Sequence, residues 1–166
     1  DLDLDTKTMS SKYKNRKDSY KTVASYIEAL MSKKKGNYIV YTPSYEYLNE
    51  IVPYLSKIDA SLLVQTKDMS DKEKDEFISA FDISNKESVL GVCVLGGAFS
   101  EGIDLKDDRL IGVIVIGVGM PKICFELDKT SEYYDSIGYK GKDYAYINPG
   151  MNKVAQAVGR VIRSET

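Results

Sequence analysis

Polar and charged positions dominate residues 1–16, where Asp1, Asp3 and Asp5 alternate with other residues, two of them leucines. That stretch reads as an arm or linker. From residue 17 onward the pattern becomes periodic. In "DSYKTVASYIEALMSKKKG", Tyr20, Val23, Ile27, Leu30 and Met31 recur at helical spacing; Asp18 or Ser19 can cap the start, and lysines followed by Gly36 mark the end. "NYIVYT" (37–42) is a short apolar run stopped by Pro43 and predicts a strand. Ser44 caps a predicted helix in "SYEYLNEIVPYLSK", which Pro53 kinks or shortens. "SLLVQT" (61–66) predicts a second strand. "SDKEKDEFISAFD" predicts a helix opened by the capping-box pair Ser70 and Glu73. The runs "SVLGVCVLGG" (88–97) and "LIGVIVIGVG" (110–119) are apolar at successive positions, the habit of parallel strands covered on both faces. The last fifteen residues, "NKVAQAVGRVIRSET", read as a helix. Residues 121–149 are rich in tyrosine and lack clear periodicity, so they predict a long irregular or partly helical excursion.

After the initial helix the order is therefore β-α-β-α-β-β-α. This is an α/β chain with an open parallel sheet and helices on both faces. Such sheets place ligands beyond the carboxyl ends of their strands. The length of 166 residues suits one domain with a sizeable core. The net charge of -2 gives no global attraction for nucleic acid, so contact with it must come from a local patch. No apolar run reaches the roughly 18 residues needed to span a bilayer, and the first ten residues lack a signal-peptide pattern. Neither a membrane partner nor a secretory route is expected, and the cytoplasm is the expected address. Cys93 and Cys124 stand apart in a chain without histidine, so no metal site and no disulfide framework are expected.

Two clusters carry candidate chemistry. Only four arginines occur against nineteen lysines, yet Arg160 and Arg163 sit three apart in the last helix. On a helix, Gln156, Arg160 and Arg163 fall within an arc of about 60°, with Val154, Val158 and Val161 opposite. Like charges at this spacing destabilise by a few tenths of a kcal/mol, and Gly159 inside a helix by up to about 1 kcal/mol relative to alanine. Guanidinium suits bidentate contact with phosphate, and glycine suits a close approach. A phosphate-binding face and a solvated amphipathic helix both fit these residues. The second cluster, "LGGAFSEGIDLKDDRL", follows the strand 88–95. Its glycines let backbone amides approach a phosphate, and Ser100, Glu101 and Asp104 add a hydroxyl and two carboxylates. A plain Gly/Asp-rich loop is the alternative.

The two clusters together resemble a known family. "GGAFSEGIDL" is similar to motif V, and "QAVGRVIRSE" to motif VI, of superfamily 2 helicases, in the XPD/DinG branch. "YAYINPGMNKVAQAVGRVIRSET" is especially similar to bacterial DinG-like members, and "GNYIVYTPSYEYL" resembles motif IV. The resemblance implies that residues 17–166 form the second of two RecA-like domains that clamp one ATP between them. It implies an enzyme that couples ATP hydrolysis to 5′-to-3′ movement on single-stranded DNA. No GxxxxGK[ST] phosphate loop and no Asp-Glu-x-His occur here. The chain is thus expected to be a domain excised from a longer polypeptide and inactive alone. The first RecA-like domain would supply the nucleotide cradle and the Mg²⁺ carboxylate.

By the motif match, Arg163 and Arg160 would reach the γ-phosphate across the domain interface, and Gln156 would contact the phosphate or the attacking water. Glu101, Gly102, Asp104 and Gly159 would line the ATP side. Thr42, Pro43, Ser44, Gly97, Ser100 and Gln65 would hold the DNA backbone. The tyrosines of 133–146 could stack on bases or serve as core or interdomain contacts. Two other readings stay open: a non-catalytic RecA-like module for protein interaction or DNA docking, and a small doubly wound nucleotide-binding enzyme. The second of these would need a Gly-rich loop after its first strand, which "TPSYE" does not provide.

Overall fold

The computed structural model describes residues 16–101, 105 and 109–159. The first helix, α1 (Arg16–Lys33), starts two residues before its expected cap. It buries Tyr20, Val23, Ile27 and Met31, whereas Leu30, assigned to the same face by spacing, is 44% exposed. β1 (Asn37–Thr42) is buried at every position. Ser44 caps α2 (Tyr45–Leu55) by accepting from the Tyr47 amide at 3.2 Å. Pro53 sits exposed in the last turn of α2, so the helix simply ends two residues later. β2 (Ser61–Val64) leads to α3 (Asp71–Ser79), where the capping box forms: the Glu73 amide donates to Ser70 Oγ, and the Glu73 carboxylate accepts from the Ser70 amide at 2.7 Å. β3 (Val89–Val94), the one-turn α4 (Ala98–Glu101) and β4 (Gly112–Val115) follow.

All strand pairs are parallel, in the order β2-β3-β1-β4. Strand alternation splits the core in two. Tyr38, Val40, Leu90 and Val92 face α1 and α2, whose Tyr20, Ile27, Tyr47, Leu48, Ile51 and Leu55 complete that cluster. Ile39, Tyr41, Val89 and Cys93 face the other way, with Phe77 of α3, Phe99 of α4 and Ala157 from the last helix. Each fully buried Ile, Leu or Phe stabilises the fold by about 1.5–3 kcal/mol, which fixes the expected α/β architecture with helices on both faces.

The excursion at 121–149 proves largely helical. α5 (Phe125–Ser136) buries none of its side chains, so no apolar stripe announces it. A π-helical segment, Asp143–Ile147, runs directly into α6 (Asn148–Gly159). Pro149 explains the widened turn. It has no N–H, and its ring would crowd the carbonyl four residues back; the helix opens just before it, so the Asn148 amide reaches the Asp143 carbonyl instead. The pieces interlock through backbone. A Cβ on Gly141 would lie 1.9 Å from the Ser131 carbonyl oxygen, and the Gly141 amide donates to Asp135 Oδ1 at 2.9 Å. A Cβ on Gly150 would lie 2.6 Å from Val118 Cγ1, so α6 lies close on the segment after β4. Among the described residues, no helix is long and apolar enough to cross a membrane.

Candidate nucleotide and DNA interface

β1 and β3 are neighbours, so the turns that follow them lie side by side at the carboxyl edge of the sheet. The Leu95 amide donates to the Thr42 carbonyl at 2.9 Å and closes that edge. The loop after β3 turns sharply: Gly96 holds φ at +75°, where an L side chain is strained, and the Gly97 amide donates back to the Val94 carbonyl at 3.0 Å. The following turn, α4, is pinned from below by Tyr41, whose buried hydroxyl donates to the Phe99 carbonyl at 2.8 Å. Such a bond contributes about 1 kcal/mol net.

α6 packs on this loop from above. It contacts α4 and β4. The Lys153 side chain crosses Gly96, with Cδ and Cε 2.9 Å from where a Cβ there would sit. Ala157 is fully buried in the cluster that contains Phe99, and Val154 packs against it. Gln156, one residue earlier than Ala157, is exposed. Among the described residues Val154 packs inward and Gln156 faces out, with Ala157 rather than Val158 as the deepest residue; Val161 lies outside them. Gly159 is exposed, and a Cβ added there meets nothing within 4 Å among the described residues. The start of the motif V-like loop and α6 thus pack against each other. Ser100 and Glu101 belong to α4 by backbone. Gly102, Asp104, Arg160 and Arg163 lie outside the described residues.

The expected DNA contacts divide. Ser44 and Pro43 are half-exposed at the turn after β1, and Gly97 is half-exposed at the neighbouring loop. Thr42 and Gln65 have another occupation. Thr42 is fully buried and its hydroxyl donates to the Cys93 carbonyl at 3.1 Å, across the strand pair. Gln65 is 3% exposed; its Oε1 accepts from the Val94 amide at 2.8 Å and its Nε2 donates to the Tyr45 hydroxyl at 2.9 Å. Both side chains tie strand ends together. A cleft of about 210 Å³ opens at Gln65, which lines it with Tyr45, Thr66, Lys67, Lys74 and Ala98 among others. Lys74 pairs with Asp71 at 2.8 Å. Burial pushes the Tyr45 hydroxyl up from its ordinary range, which keeps its proton available. Tyr41, Tyr45 and Lys153 hold the turns of this edge in place, and residue type alone does not mark them. For Lys153 the i, i+3 relation to Gln156 is the one available signal.

The tyrosines of the excursion separate as well. Tyr146 is buried and donates to Asp128 Oδ1 at 2.6 Å, a bond that pushes its pKa up to about 12. Tyr134 stacks on Tyr144 at 4.6 Å and 17°, and Tyr139 meets Tyr144 edge-on at 5.3 Å. These rings join α5 to the π-helical segment. Cys93 is buried, which raises its thiol pKa far above the ordinary range, and Cys124 is exposed. Among the described residues, no group of three or more His, Cys, Asp or Glu side chains could hold a metal ion.

Residues 27–166 match the family model described as the helicase C-terminal domain. The chain is 29% identical over 160 residues to the ATP-dependent DNA helicase XPD of Sulfolobus acidocaldarius, covering 93% of this chain and 28% of that protein. It is 33% identical over 147 residues to the ATP-dependent DNA helicase CHL1 of Debaryomyces hansenii, covering 75% of this chain and 18% of that one. A solved apo XPD structure superposes with a TM-score of 0.70 at 25% identity, over 92% of this chain and 31% of that chain. The chain thus spans less than a third of each relative. It belongs to the helicase C-terminal domain family, as found in ATP-dependent DNA helicases of the XPD and CHL1 type.

Proposed function

We propose that this chain is the second motor domain of an ATP-dependent 5′-to-3′ DNA helicase. It completes an ATP site whose other wall is the first RecA-like domain. The observation that carries the reading is the union of the loop after β3 with α6 at the carboxyl edge of the sheet, where Lys153 lies over Gly96 and Gln156 faces out. Arg163 is the principal finger on the γ-phosphate and Arg160 assists it. Their forked, permanently charged groups stabilise charge that develops on the transferred phosphoryl oxygens. Gln156 orients the phosphate or the water. Glu101, Gly102 and Asp104 line the interface from the motif V-like loop, and Gly159 leaves room for the opposing domain. Mg²⁺ would neutralise phosphate charge and is held by carboxylates of the first domain.

Single-stranded DNA runs over the turn at Pro43 and Ser44 and the loop at Gly97 and Ser100, held by its phosphates without reading sequence. Lys67, which lines the same cleft as Tyr45, adds positive charge beside that turn. Supporting this path, the two turns are adjacent and joined by the Leu95–Thr42 bond. ATP closes the two domains, and hydrolysis releases them and advances the strand. The test is the isolated chain, its fold checked by circular dichroism. It is expected to hydrolyse no ATP at any DNA concentration, because half the site is elsewhere. Steady turnover from the folded chain would overturn the shared-site reading.

A further inference from the structure

We propose that Gln65 is a positioning residue that couples the turn after β1 to the loop after β3, so that DNA seated on the first is felt at the second. The proposal rests on the functional reading above. Gln65 follows β2, an outer strand separated from β1 by β3. A polar amide buried to 3% exposure must find partners or destabilise the fold. Its two ends find different elements. Oε1 takes the amide of Val94, the last residue of β3, at 2.8 Å. Nε2 donates at 2.9 Å to the hydroxyl of Tyr45, the first residue of α2, directly after the Ser44 cap. The Tyr45 hydroxyl in turn lies 3.4 Å from the Thr66 carbonyl, closing the link on Gln65's own neighbour.

One side chain therefore spans from the start of α2 to the start of the Gly-rich loop. Its space is reserved: a Cβ on Gly97 would come within 3.1 Å of Nε2 and 3.0 Å of the Val94 carbonyl. Gly97 is close-packed because this amide lies beneath it. A strand of DNA that shifts Ser44 and the first turn of α2 moves the Tyr45 hydroxyl. The shift passes through a rigid planar amide to the residue from which the loop toward Glu101 departs. Replacing the amide by an apolar side chain of similar size leaves the Val94 amide without this acceptor and severs the link.

The experiment uses the whole protein and reads single-stranded-DNA-stimulated and basal ATP turnover, the DNA concentration for half-maximal stimulation, and the melting midpoint. Tyr45→Phe removes one oxygen and is expected to lower the stimulation factor about three- to tenfold, the worth of one net hydrogen bond. Its basal turnover stays within about twofold, by the same scale. Gln65→Leu lowers stimulation further, and the double variant is no worse than Gln65→Leu alone, because both act on one link. Gln65→Glu keeps an acceptor for Val94 and, when protonated, a donor for the Tyr45 hydroxyl; burying the ionised carboxylate is costly, so this variant restores stimulation toward acidic pH and loses it toward alkaline pH. If Gln65→Leu does not fold, Tyr45→Phe and Gln65→Glu decide the matter. Unchanged stimulation in Tyr45→Phe, additive losses in the double variant, or basal turnover falling in step with stimulation would each overturn the coupling role. A wild-type protein that DNA does not stimulate would overturn the underlying reading and the coupling role with it.

Discussion

At the scale of single residues, the carboxyl edge of the sheet shows why residue type suggests chemistry without placing it. Thr42, Ser44 and Gln65 follow strands and carry hydroxyls or an amide, so each looks like a ligand for phosphate. Ser44 keeps partial exposure, but the sheet uses the Thr42 hydroxyl and the Gln65 amide internally. Nothing in a one-dimensional pattern separates a polar group that meets a ligand from one that satisfies a buried backbone amide. Gly159 offers a sharper distinction. Its Cβ position is open, so Gly159→Ala is expected to leave folding intact or stabilise it by up to about 1 kcal/mol. In the whole protein the same change should lower ATP turnover, because the proposed shared site brings the opposing domain to this position. Urea unfolding of the domain and turnover of the whole protein check the pair of outcomes. A variant gaining stability with unchanged turnover would show that the glycine serves no approach.

At the scale of elements, the sheet and the helices that cover it were legible because burial imposed a pattern. Both faces of β1 and β3 are covered, so their sequences are apolar at successive positions, and α2 carries a clear inward stripe. α5 was not legible, because it buries no side chain and is held by tyrosine rings and by backbone contact at Gly141. Those partners are set by tertiary placement. Gly141→Ala is therefore expected to separate α5 from the π-helical segment, destabilising by about 3 kcal/mol or more as an overpacked site does; chemical denaturation checks it. The α3 cap makes a gentler prediction. Ser70→Ala should destabilise by about 1 kcal/mol. The Ser70 hydroxyl and amide hold the Glu73 carboxyl below its ordinary pKa. A depressed folded pKa means stability present above the unfolded value and lost as pH falls through the folded one. The wild type should accordingly lose stability on acidification below the ordinary glutamate range. Ser70→Ala should show a shallower loss there, measured by denaturation at a series of pH values.

At the scale of the molecule, the start of the loop after β3 and the last helix, α6, pack together at one edge of a parallel sheet. That edge is where an open α/β sheet offers its ligands. Neither motif marks the residues that hold this edge together, Lys153 over Gly96 and Tyr41 under Phe99. The relatives it matches are about three times its length or more. The most direct measurement of the central claim is ATP turnover by the whole protein carrying Arg163→Ala, with saturating ATP, Mg²⁺ and single-stranded DNA. A drop of about 10³-fold or more, with the melting midpoint unchanged, is the expected result for an arginine finger. Turnover within a few fold of wild type would contradict the account.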